Sequence, residues 1–210
     1  MTRIGFAPAA GFARLAFVAA ISFFVAAAYP DDANAVIKGT SSSADSYTVR
    51  VIRGGIRCSG VAIGRKLVAT ARHCGHGTVI AGGRHIGLSG SGTSAVLDDG
   101  RRVSVSGDAS ILRLAAPLPA SITPVAVGDG GGDTYTIAGY GTADERYRGA
   151  FGQLREARLV SAERYALVDP NRSGSISASA CFGDSGGPVL RGSELVGIVT
   201  RAAHPSPRIA

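Results

Sequence analysis

The stretch Cys181-Phe182-Gly183-Asp184-Ser185-Gly186-Gly187-Pro188 places a serine between an aspartate and two glycines. A serine hydroxyl is a weak nucleophile. A catalytic serine therefore needs a turn that a base can reach and backbone N–H groups that face the developing oxyanion. The glycines around Ser185 permit such a turn, because glycine tolerates positive φ and close backbone approach. A plain glycine-rich hairpin would have the same sequence, so the interpretation depends on a histidine and an aspartate elsewhere.

Both residues occur upstream in suitable contexts. His73 lies in Thr70-Ala71-Arg72-His73-Cys74, directly after the apolar run Leu67–Ala69, which would place it at the end of a strand. Asp108 begins another strand-like run, Asp108–Leu114. The chain order histidine, aspartate, serine is that of the chymotrypsin template and differs from the orders in subtilisin and the α/β-hydrolases.

On these motifs the chain resembles the chymotrypsin/trypsin family of serine peptidases, whose members carry T-A-x-H-C, D-I-A-L-L-x-L and G-D-S-G-G-P. The resemblance runs from about Val36 to the last residue, and the aspartate motif departs from it at Ala109 and Ser110. It implies an all-β fold of two antiparallel six-stranded barrels with the active site in the cleft between them. The first barrel would comprise about residues 36–118, and the second about residues 119–210, after the proline-rich crossing Pro117-Leu118-Pro119.

Composition agrees with an all-β chain, since the sequence has 30 glycines, no tryptophan and only short apolar runs. Alternation and turn residues predict strands at Ser46–Arg53, Arg57–Ile63, Leu67–Thr70, Val79–Ala81, His85–Leu88, Arg102–Val105, Ile111–Leu114, Thr134–Ala138, Leu154–Val160, Val189–Leu190 and Leu195–Val199. The formal net charge of +7 comes from scattered arginines, with no basic run longer than Arg101-Arg102 and no interleaved aromatic residues. We therefore expect a solvated surface and no nucleic-acid partner.

Residues 1–35 predict a signal peptide. Arg3 and Arg14 give a basic start, Leu15–Ala28 is almost wholly apolar, and Ala33-Asn34-Ala35 fits a small-x-small cleavage site. The apolar run is short for a bilayer span, so a retained membrane anchor is the less favoured alternative. We expect a secreted or periplasmic monomer that has no membrane contact once the leader is removed.

Cys58 and Cys74 are predicted to lie on neighbouring, hairpin-related strands, where a disulfide is geometrically plausible. Export favours oxidised cysteines, and in the family the cysteine after the catalytic histidine is bridged in this way. A metal site made of Cys58, His73, Cys74 and His76 is the alternative, although no further ligand pattern recurs.

The resemblance also implies a role for each residue of the site. Ser185 would attack the peptide carbonyl, His73 would serve as the base, Asp108 would orient the imidazole, and the N–H groups of Gly183 and Ser185 would form the oxyanion hole. The substrate would be a polypeptide, and we expect no metal or organic cofactor.

For the specificity pocket, the resemblance points to Ser179 at the base and to Thr200 and Ala202 on the wall. Trypsin-like members have aspartate at the base, so a serine there predicts cleavage after small to medium apolar residues.

The resemblance further implies an activation ion pair. In the family, a new N-terminus of the form I-V-G-G pairs with the aspartate before the nucleophile, which here is Asp184. The matching stretch begins at Val36, directly after the proposed leader site. A cut there would both export and activate the protein. A cut after Ala28 would instead leave a short propeptide.

The C-terminal end departs from the family pattern. Family members continue through more of the second barrel and supply a cysteine that bridges the residue at Cys181, and this sequence contains no such cysteine. We therefore expect an incomplete second barrel. A non-catalytic binding protein on the same scaffold, or an esterase-type hydrolase with the same triad, remains the alternative to a peptidase.

Overall fold

The computed structural model describes residues 35–142, 151–163, 166–171 and 178–201. The predicted leader, apart from Ala35, and the predicted pocket residue Ala202 lie outside these ranges. Within the described ranges, no helix is long and apolar enough to cross a bilayer.

Nearly all the regular structure is strand. The first half contains β1 (Thr40–Ser41), β2 (Thr48–Arg53), β3 (Ile56–Gly64), β4 (Leu67–Ala71), β5 (Thr78–Ala81), β6 (Arg84–Ile86), β7 (Leu88–Gly92), β8 (Ser94–Val96), β9 (Arg102–Ser104) and β10 (Ala109–Leu114). The second half contains β11 (Ala126–Val127), β12 (Thr134–Gly139), β13 (Arg155–Glu163), β14 (Ala166–Val168), β15 (Pro188–Arg191) and β16 (Glu194–Ile198). Two 3₁₀ turns complete the description, at Ala44–Ser46 and Arg72–Cys74.

The first barrel is built from a sheet with the strand order β6–β5–β2–β3–β4–β10–β7, seven strands in the described part of the chain. Strands β6 and β7 lie at opposite ends of this order, yet only Gly87 separates them in sequence. The sheet must therefore curl until its two edges approach each other. This explains why the predicted single run His85–Leu88 is two strands, one of which pairs with β5 and the other with β10. The small sheet β8–β9 lies outside this order.

Strands β3 and β4 are buried on both faces. In β4, Val68 packs into the core of the first barrel, whereas Leu67 and Ala69 face a second cluster. That second cluster also contains Leu190 and Leu195 from β15 and β16. Because successive side chains of a strand point to opposite faces, β4 joins the barrel core to the layer between the two halves.

The second sheet has the order β1–β13–β12–β15–β16–β11, with β14 added on β13. Residues Thr40–Ser41, which sequence analysis groups with the first barrel, pair with β13 of this second sheet. The described part of the chain thus begins on the second barrel, crosses to the first, and returns through the segment at Pro117-Leu118-Pro119, where Leu118 is buried. The fold is the two-barrel, all-β arrangement that the sequence predicts, with seven strands in each described sheet.

Candidate active site

His73 and Asp108 meet because β4 and β10 pair antiparallel. Ala71 at the end of β4 lies opposite Ala109 at the start of β10, so the residues just beyond each are neighbours. The backbone N–H of His73 donates to Asp108 Oδ1 at 3.0 Å, and the ring Nδ1 lies 2.6 Å from Asp108 Oδ2. This double contact fixes the imidazole, and it leaves Nε2 as the nitrogen that faces away from the carboxylate.

The His73–Asp108 pair lies at the surface of the described structure. The two side chains are 46% and 36% exposed, respectively. Partial burial raises the pKa of Asp108, but the hydrogen bonds from the His73 ring and N–H, with the charges of His73 and Arg201, outweigh it and lower the pKa below its usual value. Asp108 is therefore ionised at neutral pH, as an acceptor for Nδ1–H must be.

Ser185 lies in a turn closed by backbone hydrogen bonds. These run from Asp184 N–H to the Cys181 carbonyl at 3.1 Å, from Gly187 N–H to the Asp184 carbonyl at 2.8 Å, and from Gly186 N–H to the Val199 carbonyl at 2.6 Å. Gly186 has φ +84°, and a Cβ there would collide with the Ser59 carbonyl and the Thr70 hydroxyl. The turn can therefore press against the first barrel only with glycine at this position.

A disulfide lies between the turn and the histidine. Cys58 and Cys74 are bridged, as the sequence predicts. The Ser185 carbonyl accepts from Ser59 N–H at 2.8 Å and lies 3.8 Å from Cys74 Sγ. A His73 ring nitrogen and both sulfurs lie within 4.8 Å of one another. Ser185 and His73 therefore both lie close to the same bridge, which brings the three predicted triad residues into one region.

No hydrogen bond joins the Ser185 hydroxyl to the His73 ring among the described residues. Catalytic hydrogen bonds in substrate-free enzymes are commonly long and tighten on binding. Likewise, the N–H groups of Gly183 and Ser185 meet no acceptor in the described ranges. Two unengaged donors in one turn are what an oxyanion site requires.

Ser59 is a site residue that sequence analysis missed. It is fully buried, and its hydroxyl donates to the Gly183 carbonyl and accepts from Tyr140 N–H, each at 2.9 Å. Its carbonyl accepts from the Thr70 hydroxyl at 2.8 Å. Ser59 thus ties the turn of Ser185 to both barrels. The available sequence signal is weak, because Ser59 is merely a small polar residue in the apolar strand β3.

Asp184 is fully buried in a cradle of N–H groups. Its carboxylate accepts from Val36 N–H at 3.1 Å and from Cys181 and Gly141 N–H at 2.8 Å each. A Cβ at Gly139 would collide with its Oδ1, so glycine at that position makes room for the carboxylate. Burial raises the pKa of Asp184 to about 6, against the lowering effect of these hydrogen bonds. The predicted partners Val36 and Asp184 are therefore in contact, through a peptide N–H.

The predicted pocket base is tied to the same N-terminal segment. Ile37 N–H donates to the Ser179 carbonyl at 2.8 Å, and Ser179 N–H donates back at 3.3 Å. Thr200 is half-buried and lies two residues after the end of β16. The seating of Val36 and Ile37 therefore also positions the segment that carries Ser179.

The alternative metal site loses its thiolates to the disulfide. Metal ligation by cysteine requires the thiolate, and both Cys58 and Cys74 are bridged. His76 contacts Ser91 instead, with its Nε2 2.6 Å from the serine Oγ.

Comparison with known proteins gives a consistent result. The family model described as Trypsin matches residues 36–208. Trypsin iota of Drosophila melanogaster is 27% identical over 172 residues, which are 68% of this chain and 67% of that protein. Two solved structures share the fold. Neuropsin, a serine protease expressed in the limbic system of mouse brain, has a TM-score of 0.58 at 20% identity, covering 78% of this chain and 86% of its own. Human heparin binding protein has a TM-score of 0.58 at 17% identity, covering 79% and 84%.

Proposed function

Because the chain belongs to the trypsin family of serine peptidases, we propose that Ser185, His73 and Asp108 form a triad that hydrolyses peptide bonds. The observation that carries the proposal is the Nδ1···Oδ2 contact of 2.6 Å between His73 and Asp108, beside the turn of Ser185. An ionised carboxylate in this position selects the tautomer whose Nε2 can act as a base. A polypeptide is the substrate class that the family implies.

The reaction begins with attack of Ser185 Oγ on the substrate carbonyl carbon while His73 Nε2 accepts the hydroxyl proton. The tetrahedral intermediate collapses, the C–N bond breaks, and His73 passes the proton to the leaving amine. Water then repeats the sequence on the acyl-enzyme, with His73 again as the base. Asp108 stabilises the imidazolium that forms in each half-reaction.

The oxyanion is stabilised by the N–H groups of Gly183 and Ser185. Their lack of other acceptors in the described ranges supports this assignment. One such donor typically contributes about 3–4 kcal/mol to lowering the barrier. The Ser59 hydroxyl holds the Gly183 carbonyl at 2.9 Å and so sets the direction of the adjoining peptide groups.

The mature enzyme begins at Val36, is secreted or periplasmic, and acts as a monomer. The contact of Val36 N with the buried Asp184 carboxylate supports this start. Release of the amine at Val36 would place an ammonium against a buried carboxylate that has only neutral donors in the uncleaved chain. The pairing of Ile37 with Ser179 then connects activation to the pocket.

The primary pocket accepts apolar side chains. Ser179 offers no charge to a substrate Lys or Arg, and a buried cation without a counter-charge is costly. The pairing of Ser179 with Ile37 supports its place beside the seated N-terminal segment.

Labelling with a fluorophosphonate probe tests the proposal. We expect covalent modification at Ser185 and peptide hydrolysis, both abolished in Ser185→Ala and in His73→Ala. Because triad members act as a unit, the double variant should be little worse than either single one. Ser91→Ala is the matched control, since Ser91 also contacts a histidine at 2.6 Å but lies outside the triad. Turnover that survives in Ser185→Ala would remove the assignment.

A non-catalytic binding protein is the second candidate. Two observations support it: the described structure has no hydrogen bond between Ser185 and His73, and the His73 side chain is half-exposed. A folded protein that the probe leaves unlabelled, with no hydrolysis, would favour this candidate over the peptidase.

A further inference from the structure

One cavity of the described structure is lined by none of the three proposed triad residues. Its volume is about 300 Å³, and it is bounded by β2, the turn after β5, the segment after Leu118, and Tyr140. Polar side chains line much of it, namely Asp45, Ser46, Thr48, Arg50, Ser121 and Tyr140. This volume is at the lower end of the range of small-molecule sites.

Two residues that line the cavity each have a buried polar atom without a hydrogen-bond partner among the described residues. Thr48 is only 1% exposed, and its Oγ1 forms no hydrogen bond within the described ranges. Arg50 Nε is buried and likewise meets no acceptor there. Buried polar atoms of folded proteins are nearly always hydrogen-bonded, and an unpaired one carries a desolvation cost. A ligand with acceptor oxygens would remove both deficits at once.

The two charged side chains that line the cavity, Arg50 and Asp45, form no ion pair with each other in the described structure. Arg50 Cζ lies 4.3 Å from the centroid of the Tyr140 ring and 5.4 Å from that of the Phe151 ring. These cation–π contacts hold the guanidinium in place without neutralising its charge. Asp45, an exposed residue, lines the same space. No ion pair joins Arg50 to Asp45 among the residues that the structure describes. A cation and an anion thus face one cavity without meeting.

We propose that this cavity binds a free α-amino acid in its zwitterionic form. The carboxylate lies against Arg50 and the Thr48 hydroxyl, where a guanidinium can donate two parallel hydrogen bonds. The ammonium lies against Asp45. An apolar side chain suits the remainder of the wall, to which Ile80 and Ile122 contribute. A simple anion would place a second negative charge beside Asp45. A simple cation would place a second positive charge beside Arg50. The proposal does not depend on the triad.

Calorimetric titration of the full chain carrying Ser185→Ala, which prevents autolysis, tests the proposal with three matched ligands. We expect leucine to bind, and we expect leucinamide and N-acetylleucine, which lack one charge each, to bind at least about tenfold more weakly. If leucinamide bound as tightly as leucine, the proposed role of Arg50 would be overturned. If N-acetylleucine bound as tightly as leucine, the proposed role of Asp45 would be overturned. Absence of leucine binding would overturn the site.

Thr48→Val separates binding from folding, because it removes the unpartnered hydroxyl at nearly constant shape. We expect an unchanged or higher Tm for the unliganded protein and a leucine affinity reduced about tenfold. Asp45→Asn should weaken the binding of leucine and leave the binding of N-acetylleucine unchanged. Asp129→Asn serves as the control, because Asp129 is an exposed acid outside the cavity. Unchanged leucine affinity in both Thr48→Val and Asp45→Asn would refute the site.

Discussion

The contact between Val36 and Asp184 predicts a pH-dependent difference between two otherwise matched proteins. One begins at Val36 and carries a free amine there, whereas the other begins at Ala35 and offers only a peptide N–H. Both carry Ser185→Ala, so that autolysis does not interfere. Every other titratable side chain is shared, so the two proteins differ only in the position of the terminal amine: at Val36, against Asp184, or at the neighbouring residue Ala35, which is also buried.

The size of the expected stability difference follows from the raised pKa of the buried Asp184 carboxylate. In the uncleaved chain, burial raises the pKa of Asp184 from 3.8 to about 6. A group whose pKa is raised on folding stabilises the folded protein below its unfolded pKa, and this contribution is lost as pH rises through the folded value. The protein that begins at Ala35 should therefore lose about 3 kcal/mol of unfolding free energy between about pH 4 and pH 6.5.

The protein that begins at Val36 should not show this loss. Its ammonium stabilises the ionised carboxylate, which keeps the pKa of Asp184 low. The amine pKa is raised by the same pairing, so the stabilisation holds at neutral pH and fades only as pH rises through the folded value of the amine. Cleavage also relieves Val36, whose φ of 44° is strained for a β-branched residue. That relief, about 1–3 kcal/mol, does not depend on pH.

Urea unfolding followed by circular dichroism measures the difference across this pH range. We expect the two stability curves to diverge as pH rises, by about 3 kcal/mol at pH 7 relative to pH 4. A third protein that begins at Asn34 should follow the one that begins at Ala35, because it too lacks the amine. Parallel curves for the Val36 and Ala35 proteins would refute the reasoning.

Three further predictions concern the site and its support. Ser59→Ala should lower kcat about tenfold or more with KM little changed, because the Gly183 carbonyl loses its 2.9 Å donor; steady-state kinetics that show only a KM effect would contradict this. Replacing Cys58 and Cys74 together by serine should lower the unfolding free energy by about 3 kcal/mol, measured in urea, since the bridge closes a loop of 16 residues; an unchanged midpoint would contradict the entropy argument. A peptide panel varied only before the scissile bond should show cleavage after apolar residues, and a tenfold preference for Arg would exclude Ser179 as the base of the pocket.

Much of the strand pattern could be predicted from local sequence, because apolar runs between turn residues must bury one or both faces. The predicted runs at Leu67–Thr70 and Thr134–Ala138 correspond to β4 and β12 within one residue at their ends. The predicted runs do not include strands β1, β8, β11 and β14, or β7 beyond Leu88, because these segments are defined by their pairing with other strands. Local propensity does not decide whether so short a segment finds a partner strand.

The sequence by itself determined the family and the identity of the residues proposed for catalysis, because each of these residues lies in a short motif whose neighbours have the required size and flexibility. The structure decided between the disulfide and the metal site at Cys58 and Cys74. The tertiary structure decided which of these residues touch. The antiparallel register of β4 and β10 brings His73 to Asp108, and the two barrels together enclose Ser59. Contacts between residues 35 or more positions apart depend on how the sheets curl and pack, and that information is distributed over the whole chain.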